Sequence, residues 1–160
     1  MFDMFGEFDS WEELNKAAAG QKEEGDVKAL KELAKENGIC IEDVEDYLDG
    51  VTDTLCIPTT AAIGKIEIES QDLKPFGIMK DWIEYIASLC YEEPKMSLAV
   101  RKKQKSLKGC IGKLLKWGHD NMQELNSDIK KAAGFTGTVK LGMPGVLEAR
   151  KIIKKYYLEG

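Results

Sequence analysis

The sequence is poor in the residues that staple a fold or ligate metals. It has one histidine, His119, and four cysteines, Cys40, Cys56, Cys90 and Cys110, which lie 16, 34 and 20 positions apart. Without a CxxC pair or a second histidine, a structural zinc site lacks its usual close-spaced ligands. Four free thiols are expected instead, mostly buried as small hydrophobic groups in a reducing compartment. No apolar run approaches the ~18 residues of a membrane span. The opening MFDMFGEFDS is acidic, where a signal peptide needs a basic region followed by an apolar one. These absences predict a cytoplasmic protein with no cofactor, no metal and no membrane contact. With 43% hydrophobic and 32% charged residues, disorder, collagen and coiled coil are excluded, and a chain of this length should bury roughly 70% of its unfolded surface.

What the sequence does have is separated charge. The net charge of -5 sums three unequal parts: residues 1–56 hold 16 acids and 5 bases, residues 57–94 hold 7 and 3, and residues 95–160 hold 5 and 15. The expected organisation is a single domain over 1–160, with an acidic helical part (1–56) packed on a basic helical part (57–160).

Helix punctuation recurs along the chain. Ser10 and Glu13 form a capping box before Trp11, Leu14, Ala17 and Ala18. Gly25-Asp26 stops one helix and caps the next, whose apolar face of Val27, Leu30, Leu33 and Ala34 ends at Asn37-Gly38. Ile41, Val44, Tyr47 and Leu48 predict a short third helix. Residues 58–71 read as helix rather than strand, and Pro75 suits the first position of a central helix carrying Ile78, Met79, Trp82, Ile83, Ile86, Leu89 and Cys90. Beyond Pro94, Met96 to Val100 lead into the basic run RKKQK. Ser106 can cap a helix through Trp117, and Asn126 or Ser127 a short one ending at Gly134. Residues 134–145 predict a loop with at most one short hairpin or strand, the best strand candidate being Thr138 to Leu141. The last helix, from about Gly145 to Tyr157, should turn Val146, Leu147, Ile152, Ile153 and Tyr156 inward. The fold class is mainly α, a bundle of about seven to eight short helices.

Two surfaces stand out as candidate contacts. Glu42, Asp43, Glu45, Asp46, Asp49 and Asp53 form an acidic face. Such a face either keeps a helix solvated or imitates the closely spaced charge of a nucleic-acid backbone. Arg101, Lys102, Lys103, Lys105, Lys108, Lys113 and Lys116 lie in a stretch with no acid between Glu93 and Asp120. They would attract phosphate, an acidic partner or the chain's own acidic half. Gly109 and Gly112 form a GxxG whose small residues suit close helix approach. A KH-type nucleotide clamp would need a sheet that is not expected here. His119 beside Asp120 reads as a helix C-terminal residue rather than a catalytic base, because no partner nucleophile can be placed near it.

The strings MFDMFGEFDSWEELN, LKELAKENGI, EDVEDYLDG, KDWIEYI, AVRKKQKSLKGCIGKLLKW and ARKIIKKYY, spread over nearly the whole chain, resemble the PcfK-like proteins of mobile elements in gut Firmicutes. Some members of that family are classed as anti-CRISPR inhibitors of the type II RNA-guided nuclease. The resemblance implies a non-enzymatic protein that counteracts host defence in the bacterial cytoplasm. Its partner would be a type II CRISPR effector nuclease, met directly or through guide RNA or target DNA. The alternative is a nucleic-acid-binding accessory protein of plasmid conjugation or replication. Of the two faces, the basic block is the more favoured contact, because it is the densest one-signed stretch and coincides with the most distinctive string.

Overall fold

Local capping chemistry sets several helix starts in the computed structural model, which describes residues 2–159. Ser10 Oγ accepts the Glu13 N–H at 3.1 Å and opens α1 (Trp11–Glu23), while Glu13 reaches back to the Asp9 N–H. Asp26 Oδ1 accepts the Ala29 N–H at 3.0 Å and opens α2 (Val27–Glu36). The end of α2 is a Schellman turn. Gly38 takes φ 69°, and Ile39 N–H returns to the Ala34 carbonyl at 2.9 Å, a geometry that a residue without a Cβ adopts at little cost. Then come α3 (Ile41–Leu48), α4 (Pro58–Leu73), α5 (Ile78–Glu92), α6 (Pro94–Arg101) and α7 (Leu107–Asp120). The short pair β1 (Gln123–Glu124) and β2 (Lys140–Leu141) flanks α8 (Ser127–Ala133), and α9 (Val146–Leu158) follows. The mainly α class holds, with nine helices among the described residues and one antiparallel strand pair in the register Gln123 to Leu141 and Glu124 to Lys140.

Two expectations are corrected. Pro75 does not begin α5. Lys74 at φ 48° and Gly77 at φ 55° turn the chain there, and the helix starts at Ile78. The basic stretch spans two helices: α6 stops at Arg101, and residues 102–106 form the turn before α7. At the start of α9, Val146 and Leu147 are exposed at 67% and 77%. The buried row there is Ala149, Ile153 and Tyr157, one residue per turn, which sends the first-turn side chains off the core.

The chain divides into two compact units, Met1–Lys108 and Gly109–Gly160. The charge break near residue 56 is not a boundary, since α4 packs on α1, α5 and α6 within the first unit. Leu14, Ala18, Leu30, Leu33, Val44, Tyr47 and Leu55 form one cluster of that unit's core, with Phe5, Phe8 and Trp11 packed against it. Each fully buried leucine of this kind contributes about 1.5–3 kcal/mol. A second buried set, Trp82, Ile83, Ile86, Leu89, Met96 and Val100, comes from α5 and α6. The turn that follows α2 touches the backbone of α4 at Gly38 and Gly64, where a Cβ on either glycine would collide with the opposite main chain. In the second unit, Gly118 of α7 and Gly142 after β2 meet in the same way.

The turn between α6 and α7 rests on two α4 side chains one helical turn apart. Lys65 is fully buried, and its Nζ donates to the carbonyl oxygens of Lys102 at 2.6 Å and Lys105 at 2.7 Å while pairing with Glu7 Oε1 at 2.9 Å. All three ammonium donors are thereby used. Glu69 Oε2 accepts the N–H of Leu107, the first residue of α7, at 3.0 Å. Nearby, buried Asn37 donates to the Leu33 carbonyl and accepts from Arg101 Nη2 at 2.7 Å.

Replacing Lys65 with Met strands two carbonyls and the Glu7 carboxylate, and should lower the unfolding free energy by about 3 kcal/mol. Gly64→Ala should cost about 1–3 kcal/mol by overpacking. Gly112→Ala, at a position with nothing within 4 Å of a new Cβ, should instead gain about 0.5–1 kcal/mol of helix propensity. Urea unfolding of the three variants checks this order; equal effects at Gly64 and Gly112 would refute it.

Burial raises the Glu69 carboxyl above its usual pKa, against the lowering effects of Lys65 and the Leu107 N–H. A carboxyl with a raised folded pKa favours the native state below its unfolded pKa, and that contribution fades as pH rises through the folded value. Glu69→Gln should therefore gain stability relative to the native sequence from about pH 4 to about pH 7. A difference in unfolding free energy that stays flat or falls across that range would exclude it.

Candidate interaction surfaces

The acidic residues lie where α3 turns its outer side to solvent. Val44 and Tyr47 face the core, and this leaves Glu42, Glu45, Asp46 and Asp49 exposed and Asp43 half-buried; Asp53 is exposed in the following loop. Their 3-1-3 spacing puts Glu42, Glu45, Asp46 and Asp49 on one stripe. No base occurs between Lys35 and Lys65, and none of these carboxylates pairs with a base among the described residues. A cation held against this helix is Lys22, which donates to the Tyr47 carbonyl at 2.7 Å and stands 4.3 Å above the Tyr47 ring. It occupies the carbonyl end of α3 and leaves the acidic stripe open. Exposed Val51 and Ile57 flank the face in sequence, and Tyr91 and Ile57 line a groove of about 390 Å³ that also includes Asp43 and Glu67.

The basic residues divide by burial. Lys102 and Lys103 are exposed in the α6–α7 turn, and Lys108, Lys113 and Lys116 lie on the exposed side of α7. Arg101 and Lys105 do not belong to that surface: they are 1% and 8% exposed. Arg101 reaches inward to Asn37, and its Cζ stands 5.6 Å from the Phe2 ring centre. Burial lowers its pKa, opposed chiefly by Glu7. A buried guanidinium cannot meet a macromolecular phosphate without unpacking the core, so the expected seven-residue contact reduces to five exposed lysines. Of these, Lys116 already pairs with Asp120 at 2.9 Å.

His119 occupies the last turn of α7, with its Nδ1 3.3 Å from Asp120 Oδ1 and its side chain 77% exposed. Hydrogen bonds from Lys116 first and His119 second hold the Asp120 carboxyl below the usual range. The GxxG does not mediate the close approach expected of it at Gly112, which faces open space; that role falls to the Gly38–Gly64 and Gly118–Gly142 contacts. Cys56, Cys90 and Cys110 are buried, and burial pushes each thiol up to about 12. Cys40 is exposed. Among the described residues, no three His, Cys, Asp or Glu side chains converge as a metal set, and no helix is long and apolar enough to cross a membrane.

Sequence reasoning missed Lys65, Glu69 and Asn37, the polar groups that fix the α6–α7 turn. The signal was present in part. Lys65 is the one base in the apolar run Ala61-Ala62-Ile63-Gly64-Lys65-Ile66, and Glu69 follows it by four.

No protein-family model, curated protein or solved structure matches this chain.

Charge neutralisation should separate the two classes of base. Arg101→Gln should lower the unfolding free energy by about 2–4 kcal/mol through the loss of a buried charged hydrogen bond. Lys102→Gln and Lys103→Gln should stay within about 0.5 kcal/mol of the native sequence. Chemical denaturation of the three variants checks this, and a stable Arg101→Gln protein would refute the structural role.

Proposed function

We propose that this chain is a stoichiometric anti-CRISPR inhibitor of a type II RNA-guided DNA nuclease, acting without catalysis in the bacterial cytoplasm. The observation that carries the proposed contact is the exposed, unpaired carboxylate stripe of α3 with Asp53 beyond it. The resemblance to PcfK-like proteins supplies the target class. A nuclease that grips DNA in a lysine- and arginine-lined groove will also attract a rigid surface with similar anionic density. Rigidity is available here because Val44 and Tyr47 anchor α3 in the core, so little ordering entropy is lost on binding. The stripe would occupy the positive channel, or the arginines that read the PAM, and keep target DNA from loading.

This reading moves the contact from the basic block to the acidic face. Burial of Arg101 and Lys105 removes two of the charges on which a guide-RNA or target-DNA contact at the block relied. The nucleic-acid-binding accessory role keeps Lys102, Lys103, Lys108, Lys113 and Lys116 as its support, and it demands DNA binding that persists at physiological salt without any nuclease.

The test is DNA cleavage by several type II effectors with and without the protein, with DNA loading followed in parallel. Inhibition should rise to a plateau near one equivalent and should weaken steeply with salt. The variant Glu45→Lys with Asp46→Lys and Asp49→Lys should raise the half-inhibitory concentration at least tenfold, a change of about 1.4 kcal/mol or more. Unaltered cleavage across the effectors would overturn the proposal, and full inhibition by the triple variant would remove the acidic face from it.

A further inference from the structure

The junction that Lys65 holds contains a second buried cation, and this one pairs with no carboxylate among the described residues. Arg101 is 1% exposed, and its Nη2 donates to Asn37 Oδ1 at 2.7 Å. Its Nε and Nη1 are buried and have no hydrogen-bond partner among the described residues. Three N–H bonds are thereby left over. Glu7 acts on the guanidinium through space, while its Oε1 pairs with Lys65 at 2.9 Å. A buried charge without a hydrogen-bonded counter-charge is strongly destabilising, so a guanidinium kept in this state calls for a functional reason. A cavity of about 260 Å³ has Arg101 in its wall. One water needs ~10–15 Å³ of such space, so a small polyatomic ion fits. The surroundings are positive. Ser10 and Trp11, where α1 begins, and Pro58, where α4 begins, line the cavity together with exposed Lys102. The two helices run for 13 and 16 residues, and the start of α4 has no side-chain cap. Each N-terminus adds partial positive charge. Asp9 is the opposing charge in the wall, and its Oδ1 already accepts the Lys103 N–H at 2.9 Å.

We infer that this cavity binds a small oxyanion of the phosphate class, either free phosphate or the phosphate of a small monoester, held by Arg101 and Lys102 between the starts of α1 and α4. A planar guanidinium presents its donors in a fork that matches phosphate oxygens, and an ammonium adds a point charge. The four oxygens of a phosphate suit donors arriving from several directions better than a planar carboxylate does. Solvent does not reach Nε or Nη1, and the Phe2 ring stands over the guanidinium with its centre 5.6 Å from Cζ. Binding therefore requires the half-buried Phe2 side chain to move aside, and the anion exchanges a cation–π contact for charge-assisted hydrogen bonds. The same closure sets the size of the ligand: a small ion can pass Phe2, whereas the phosphate of a polymer backbone cannot follow into the recess.

This inference stands apart from the nuclease-inhibitor reading, because no residue of the acidic stripe lines the cavity. It is tested on the full chain by isothermal titration calorimetry with sodium phosphate and, separately, with glycerol 3-phosphate, at constant ionic strength against sodium chloride. Binding should saturate at one equivalent with a Kd of about 1 mM or tighter. Comparable affinities for the two probes assign the free ion, and a monoester bound at least about tenfold tighter assigns a phosphorylated metabolite; either result supports the site. Arg101→Gln should weaken binding at least about tenfold. Because that variant is also expected to lose stability, two surface changes decide the case independently. Lys102→Gln should weaken phosphate binding about threefold and Asp9→Asn should tighten it about threefold, each with the circular dichroism of the native protein. Phe2→Ala, which uncovers the guanidinium, should tighten it by about threefold as well. Lys80→Gln, exposed on α5, should change nothing. No saturable heat up to about 10 mM phosphate, chloride competing as well as phosphate, affinity unchanged in both Lys102→Gln and Asp9→Asn, or weaker binding by Phe2→Ala would overturn the assignment. None of these outcomes bears on inhibition of cleavage.

Discussion

A buried ammonium group holds the first unit's architecture in register. Taking a lysine out of water costs several kcal/mol unless every donor is matched, and Lys65 meets that condition with two main-chain carbonyls and the Glu7 carboxylate. The two carbonyls belong to Lys102 and Lys105, so the group dictates where α6 ends and how the chain turns into α7. Glu69, one turn further along α4, takes the first amide of α7 and so places a carboxylate at the positive end of that helix. Glu7 ties the N-terminal segment into the same junction, where Asp9 accepts the Lys103 N–H and Phe5 and Phe8 lie on the α1–α3 core. The glycine contact of α2 with α4 is a consequence as much as a cause. With no Cβ on Gly38 or Gly64, α4 packs directly against the turn after α2, the turn from which Asn37 meets Arg101.

This junction explains why the densest basic string in the sequence is not a uniform surface. Of RKKQK, the first and last members turn inward, Arg101 to Asn37 and Lys105 into a buried position, while the middle residues remain in solvent. Charge counted along a sequence treats such residues alike, whereas burial sorts them into those that hold a turn and those that can meet a partner. The same sorting works the other way for the acidic residues of α3. A helix of only eight residues with Val44 and Tyr47 inward leaves a continuous carboxylate stripe outside, which no base among the described residues closes.

The helices were largely legible in the sequence because their ends are local chemistry. Ser10, Asp26 and Asn126 cap as their residue types suggest, and Gly38 and Gly134 take the positive φ values that stop α2 and α8. Errors occurred where periodicity is a weak guide. Val146 and Leu147 look like the start of an apolar face, but the helix axis is set by Ala149, Ile153 and Tyr157. The strand pair was half visible, since Lys140–Leu141 fell inside an expected strand whereas its partner, the exposed polar pair Gln123–Glu124, has no pattern of its own. The acidic face could be read residue by residue. The buried members of the basic block could not, because nothing in a run of basic residues marks which of them will turn into the core.

The sequence by itself determined the mainly α class, most helix boundaries, the free-thiol chemistry and the separation of charge along the chain, since each depends on residues within a turn or two of one another. Tertiary structure decided which charges are surface and which are scaffold, and it drew the unit boundary at Lys108 rather than at the change of sign near residue 56. The physical reason is distance along the chain: Lys65 meets carbonyls 37 and 40 residues away, and Arg101 meets an amide 64 residues away. Such pairings exist only once α2, α4 and α6 have packed. The apparent charge dipole of the sequence is thereby redistributed, with a net of -9 on the first unit and +4 on the second.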